Sequence, residues 1–264
     1  MGVLNVTPDS FSGDGTGRDL QRAVDQALRF ADEGADIIDV GGESSRPASF
    51  YNDATPVPVD EEFTRVIPVI EALVKRLSIP ISVDTQKSAV LRCSVEAGAV
   101  MANDVSMFGT DPGMPATIAE LGVPVVINHT RATKTYLTGV ANEVVADLLQ
   151  AARSAEEAGI PASNIILDPG IGFGKTPEQS IDMQRDLSLL VEQGSPVLIG
   201  TSRKSSIGQV LGGLPPDQRV EGTAATVALA IERGADIVRV HDVKEMVRVS
   251  RMSDAIVRGW SPGD

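Results

Sequence analysis

The sequence predicts an α/β protein folded as one closed (β/α)8 TIM barrel spanning residues 1–264, and three observations carry that expectation. First, short apolar runs repeatedly stop on a polar residue: Val3 to Asn5, Ile37 to Asp39, Ile81 to Asp84, Val100 to Asn103, Val125 to His129, Ile165 to Asp168 and Ile237 to His241. Runs of this length suit strands buried on both faces, and a polar residue at the C-terminal end suits a residue that faces a ligand. Second, Gly34-Ala35, Gly98-Ala99 and Gly234-Ala235 each close a helical pattern and lead at once into an apolar run, so one helix-to-strand unit recurs. Third, about eight strand-and-helix units fit within 264 residues, which favours closure over a doubly wound open sheet.

In chain order, strands are expected near 2–6, 36–40, 80–84, 100–103, 124–128, 164–168, 196–200 and 236–240. Leu20, Ala23, Val24, Ala27, Leu28 and Ala31 recur at three and four residues, the period of one helix face. Further helical patterns run over 60–77, 88–97, 142–158, 177–192, 221–233 and 243–258. The longest connections, near 7–17, 41–59 and 129–141, all follow strands and therefore belong to the face where barrels carry their active sites.

Composition narrows the function. With 42% hydrophobic but only 3% aromatic residues, the core is expected to be aliphatic, as parallel strands under helices require. A formal net charge of -13 argues against nucleic acid or an anionic membrane as partner, because the chain would be repelled overall. A small anion remains compatible, since Arg46, Lys175, Arg203, Lys204 and Arg239 lie near strand ends. Cys93 is the sole cysteine, so no intramolecular disulfide can form, and no apolar run approaches membrane-spanning length. The expected location is the cytoplasm.

The strand ends supply the candidate chemistry. Asn5 ends the first strand beside a polar, Gly-rich loop, where an amide can ligate a metal or bind phosphate. Asp39 is followed by Gly41, Gly42, Ser44, Ser45 and Arg46, and the Arg fork matches phosphate geometry; Asp39 could instead cap the following turn. Asp84, Asn103, Asp168 and Lys204 would meet at the barrel mouth around a flat heterocycle, ionised Asp accepting from ring N–H and amino groups. Loops after strands seven and eight form the usual barrel phosphate site, and here they supply Arg203, Lys204, Arg239 and His241, although Arg203 could instead pair with Asp36 or Asp236. The Gly172-Phe173-Gly174-Lys175-Thr176 stretch lacks the leading Gly of a nucleotide P-loop; Phe173 suits a pocket wall and Lys175 a helix-entry position. No Ser-His-Asp arrangement, CxxC or GxGxxG occurs, and two histidines are too few for a His-rich metal site, so Mg²⁺ held together with substrate phosphates is the expected cofactor.

Taken in order, Gly2 through Ser12, Asp39 through Pro47, Val83-Asp84-Thr85, Asn103-Asp104, Leu167 through Lys175, Ser202-Arg203-Lys204 and Arg239 through Asp242 resemble the dihydropteroate synthase family across nearly the whole chain. The resemblance implies an enzyme of folate biosynthesis that joins 6-hydroxymethyl-7,8-dihydropterin diphosphate to 4-aminobenzoate, releasing diphosphate. It places the pterin among Asp84, Asn103, Asp168, Phe173, Leu198 and Lys204, and the diphosphate with Mg²⁺ at Asn5, Arg46, Arg239 and His241. It places aminobenzoate among Phe11, Ser45, Pro47, Lys204 and Ser205, and gives catalytic roles to Asp84, Lys204, Arg239 and His241. It also implies a homodimer built on late helices and a site for sulfonamides, which mimic aminobenzoate.

Two departures stand out. The first loop reads Ser12-Gly13-Asp14-Gly15 where the family commonly has Ser-Asp-Gly-Gly, and strand five ends Asn128-His129-Thr130-Arg131-Ala132 where it usually has Met-His-Met-Gln-Gly. A pterin-dependent methyltransferase is the runner-up, disfavoured by the anion site, and a catalytically weakened pterin-binding or regulatory paralogue is the alternative that the departures motivate.

Overall fold

A computed structural model of the chain describes residues 1–7, 19–43 and 57–261. Phe11, Ser45, Arg46 and Pro47, and the Gly13-Asp14 departure, lie outside the described residues.

Among the described residues, eight parallel strands form the barrel wall: β1 Gly2–Asn5, β2 Ile38–Gly41, β3 Ile81–Asp84, β4 Met101–Asp104, β5 Val125–Asn128, β6 Ile165–Asp168, β7 Leu198–Ile199 and β8 Ile237–Val238. The first six make one sheet in sequence order, and β7 pairs with β8. Two single bridges close the ring, Leu167 to Val197 and Gly2 to Val240. At the second closure Val3 N–H donates to the Val240 carbonyl at 2.9 Å and Val240 N–H to the Met1 carbonyl at 3.0 Å. An open doubly wound sheet is thereby excluded. The last two strands are two residues each, shorter than the five-residue runs expected at 196–200 and 236–240.

Ten helices cover the wall among the described residues: α1 Leu20–Asp32, α2 Val59–Val74, α3 Ser88–Glu96, α4 Met114–Leu121, α5 Val140–Glu157, α6 Pro177–Arg185, α7 Ser188–Val191, α8 Ser205–Val210, α9 Val220–Glu232 and α10 Val243–Val257. Two differ from expectation by existing at all. α4 carries Pro115 in its first turn and ends on left-handed Gly122, and the short α8 follows directly on Lys204. The expected single helix over 177–192 is two, because the chain leaves helical geometry at Asp186.

The repeated Gly-Ala unit has a direct physical basis. Gly34, Gly98 and Gly234 take φ of 99°, 113° and 99°, a region open to Gly and strained for side chains. In each case the Gly N–H bonds three residues back and the Ala N–H five back, as in Ala35 to the Phe30 carbonyl at 2.9 Å, the pattern of a Schellman ending. Each Ala is buried, so the helix stops and the strand starts at a fixed depth.

Strand alternation divides the apolar side chains into two cores. Outward residues such as Leu4, Ile38, Val40, Val83, Val125, Ile127, Ile165 and Leu167 pack under the helices in one large cluster. Inward residues Met1, Val126, Ile166 and Leu198, with Ile37, Met101 and Ile237, fill the barrel itself. The lumen is therefore plugged below, and the next inward residues towards the C-terminal end are Asp39, Asp84, Asn103, Asn128 and Asp168.

Candidate active site

Inward alternation brings the polar strand ends together at one mouth. Asp84, the last residue of β3, stands opposite Asn103 in the β3–β4 register, and Asn128 stands opposite Asp168 in the β5–β6 register. Arg239, just past β8, bonds across the lumen: Nε donates to Asp39 Oδ2 at 2.6 Å and Nη2 to Asp84 Oδ2 at 2.7 Å. Asp39 also accepts from Asn103 Nδ2 at 3.0 Å. Asp39 is fully buried and thus holds two mouth residues in place; it does not cap the following turn.

Burial sets the electrostatics. It pushes the Asp84 carboxyl up to about 7 against the pull of Arg239, and the Asp168 carboxyl up to about 6 against the Gly170 N–H and nearby cations. Lys204 is lowered to about 8 by burial and then by Arg239. Burial opposes the Arg239 charge as well, yet Asp39 and Asp84 outweigh it and raise its proton affinity. Acidic acceptors and cationic donors thus stand side by side in one pocket where water screens them weakly.

One wall is aromatic. Phe173 sits in the loop after β6, and Lys204 Nζ lies 4.5 Å from its ring centroid, a cation–π contact. Leu198 belongs to the apolar plug beneath, one residue past the Leu167–Val197 bridge and therefore beside Asp168. Ser205 is exposed at the start of α8. His241 is oriented by Ser202, whose Oγ accepts from the His241 N–H at 3.1 Å and lies 2.9 Å from Nδ1. Where the Ser202 hydroxyl donates to Nδ1, the His241 proton is on Nε2.

Several expectations are corrected. Lys175 is no anion ligand: it is buried and bonds His129 Nδ1 at 2.8 Å and two carbonyls. Arg203 pairs with Asp242, at 2.6 Å and 3.0 Å, and not with Asp36 or Asp236; Asp236 accepts from Val197 N–H instead. His129 is not a polar strand end facing the mouth, since alternation turns it outward to Asp147 on α5, 3.1 Å away, and Asn128 inward. Asp104 likewise faces outward and ties its loop, accepting from the Ser106 N–H and hydroxyl and from the Phe108 N–H.

Residues that strand-end reasoning passed over include Ser202 as the partner of His241, and a cluster at the base of the second loop. There Lys87 bridges Glu43 and fully buried Glu62, and Glu43 accepts from the Val57 N–H at 3.0 Å. A lone Lys before a helix gives no sequence signal for this role, since its partners lie 44 and 25 residues away.

For a metal, Asn5 offers an amide at the tip of β1, and among the described residues no group of three His, Cys, Asp or Glu could hold an ion alone. That donor set fits a hard cation that takes most of its oxygen ligands from a phosphorylated substrate and water.

Residues 1–241 match the family of pterin binding enzymes. The chain is 48% identical over 257 residues to the dihydropteroate synthase of Bacillus subtilis, covering 97% of this chain and 88% of the relative. It is 41% identical over 261 residues to that of Escherichia coli K12, covering 97% and 90%. Among solved structures, the Xanthomonas albilineans dihydropteroate synthase with 4-aminobenzoic acid superimposes with a TM-score of 0.89 at 46% identity, over 97% of this chain and 92% of that one. The Yersinia pestis enzyme in complex with a sulfonamide drug gives 0.91 at 38% identity, over 98% and 94%. A barrel whose mouth carries buried acidic acceptors beside Lys and Arg, matched over nearly its full length by these enzymes, belongs to the dihydropteroate synthase family of pterin-binding transferases in folate biosynthesis.

Proposed function

We propose that the mouth joins 6-hydroxymethyl-7,8-dihydropterin diphosphate to 4-aminobenzoate with the residues named above in distinct roles. The observation that carries this reading is the convergence of buried Asp84, Asn103 and Asp168 with half-buried Lys204 and Arg239 at one mouth. Asp168 and Asp84 accept from the N–H and amino groups of the pterin edge, and Asn103 supplies both a donor and an acceptor. Phe173 and Leu198 form the apolar wall and floor. Nε and Nη2 of Arg239 are held by carboxylates, which directs Nη1 to the leaving diphosphate. His241 Nε2–H donates to the same anion, as Asn5 does through its amide, with Arg46 expected to join from the second loop.

The chemistry that follows is C–O cleavage with charge separation. Arg239 and His241 stabilise negative charge developing on the leaving diphosphate, while Asp84, close to the pterin, favours positive charge at the methylene. Mg²⁺, when bound with Asn5 and the diphosphate, would add charge neutralisation at the leaving group. Lys204 and Ser205, with Phe11, Ser45 and Pro47 from the two long loops, orient the arylamine for attack on that methylene. No protein nucleophile is required.

The active form is a homodimer in the cytoplasm. Support comes from the α9–α10 face, where Leu229, Met252 and Ile256 are exposed while Val227 and Ile231 are core residues, and no described helix is long and apolar enough to cross a membrane. The deciding assay follows dihydropteroate formation by the purified chain with each substrate and Mg²⁺ omitted in turn. Product that requires all three supports the reading. Tight pterin diphosphate binding without product would select a weakened paralogue, and complementation of a strain lacking the synthase would decide between them in the cell.

A further inference from the structure

The buried cation that the proposed chemistry leaves unused is Lys175. Its side chain is enclosed at the start of the α6 segment, and Nζ is surrounded by three acceptors: His129 Nδ1 at 2.8 Å, the Gly170 carbonyl at 3.0 Å and the Phe173 carbonyl at 3.1 Å. His129 is wholly buried, and its Nε2 faces the Asp147 carboxylate at 3.1 Å, so the ring proton sits on Nε2 and Nδ1 is left to accept. Three acceptors call for the three protons of an ammonium, and these contacts hold that form against burial, which lowers the group to about 7. Asp147 in turn accepts from Arg131 Nε at 2.7 Å, and Arg131 Nη1 reaches Glu143 at 2.7 Å on the same helix, α5. The chain Arg131, Asp147, His129, Lys175 therefore runs from the outer helix layer to the loop that carries Phe173.

Backbone contacts run alongside it. His129 N–H donates to the Asp168 carbonyl, and Gly170 N–H to the Asp168 side chain at 2.7 Å. Gly170 and Gly174, at φ of 65° and 60°, lie so close to the strand-five loop that an added Cβ would sit 1.9 Å from the His129 carbonyl oxygen and 2.4 Å from that of Arg131. Tyr136, stacked under the Arg131 guanidinium, donates to the Gly174 carbonyl at 3.0 Å. The loops after β5 and β6 are thus one unit, and Lys175 is its innermost tie.

We propose that Lys175 is a positioning residue for pterin recognition: anchored by His129, Asp147 and Arg131, it holds Gly170 and Phe173 so that the Phe173 ring and the Asp168 carboxylate stay set for the pterin. The departure at strand five is then a change of scaffold, in which Arg131 links helix α5 to the pocket wall. The inference rests on the pterin site proposed above.

The test compares Lys175→Met, similar in size but unable to donate, with Asp147→Asn, a partly exposed change further out on the same chain. Calorimetry with 6-hydroxymethyl-7,8-dihydropterin diphosphate and steady-state kinetics for both substrates are read together. Lys175→Met is expected to weaken pterin diphosphate binding about tenfold or more, Asp147→Asn about threefold, with the aminobenzoate KM at saturating pterin within about twofold of the parent in both. Pterin affinity unchanged in folded Lys175→Met, or both substrates weakened equally, overturns the proposal. If Lys175→Met does not fold, Asp147→Asn decides, and unchanged pterin affinity there overturns it. Failure of the parent protein to bind pterin diphosphate refutes the site assignment instead, so the two failures are separable.

Discussion

At Asp168 the acceptor role proposed for the pterin and the stability of the fold pull in opposite directions. The residue's folded-state pKa of about 6 lies above the ordinary 3.8, because burial disfavours the charge. A group raised in this way leaves the folded state fully stable where it is protonated in both states, below about pH 4, and that contribution is lost as pH rises towards 6. Replacing it by neutral Asn, whose Oδ1 can still accept from Gly170 N–H, removes the penalty. Asp168→Asn is expected to be about 1–3 kcal/mol more stable than the parent at pH 7.5, with the gain shrinking as pH falls and gone only below about pH 4, measured by denaturant unfolding. The same variant should lose about 10- to 100-fold in pterin affinity, since Asn offers one acceptor in place of a carboxylate. In the unsubstituted protein, pterin affinity is expected to fall as pH drops below about 7, where Asp84 and then Asp168 take up protons; Asp168→Asn should lose the part of that fall below about pH 6, and an unchanged calorimetric profile in the variant would count against Asp168 as acceptor.

At the scale of elements, Gly170 is the position where the strand-six loop depends on a missing side chain. Gly170→Ala would place a methyl against the His129 carbonyl and force an L residue to φ of 65°, so the two loops must part. The expected result is a loss of about 2–4 kcal/mol in stability together with weakened pterin binding, measured by thermal unfolding and calorimetry. How much of this was legible in the sequence follows from the range of the interactions. Gly34, Gly98 and Gly234 announced their helix ends because a Schellman ending is local, and the inward Asp84, Asn103 and Asp168 followed from a period of two. At strand five the apolar run ends on Asn128-His129, and only alternation decides between them, turning Asn128 to the mouth and His129 to α5. The pairs Arg239–Asp39, Lys175–His129 and Arg203–Asp242 join residues 200, 46 and 39 positions apart, and no spacing rule connects them. Helix α8 was missed because six residues give too little period to read.

For the whole molecule, the outer face of α9 and α10 presents Leu229, Met252 and Ile256 at 52%, 62% and 72% exposure, the surface that a second copy would cover in the proposed homodimer. Ile256→Lys should shift the protein to a monomer in sedimentation experiments with its Tm as monomer little changed; a parent that is already monomeric at micromolar concentration would refute the homodimer.

The closure of the barrel has a dynamic consequence. Six strands share an unbroken ladder, whereas β7 and β8 are two residues long and join their neighbours through single bridges. In a ring of this kind the short pair is the clasp, the segment with least to lose on opening. Its C-terminal ends lead to Lys204 and Arg239, while Asp84, Asn103 and Asp168 stand on the six-strand arc. A pterin touching both groups would span the clasp as a cross-strap. Amide hydrogens of Leu198, Ile199 and Val238 should therefore exchange with deuterium faster than those of β3 to β6 in the free protein, and slow the most when pterin binds.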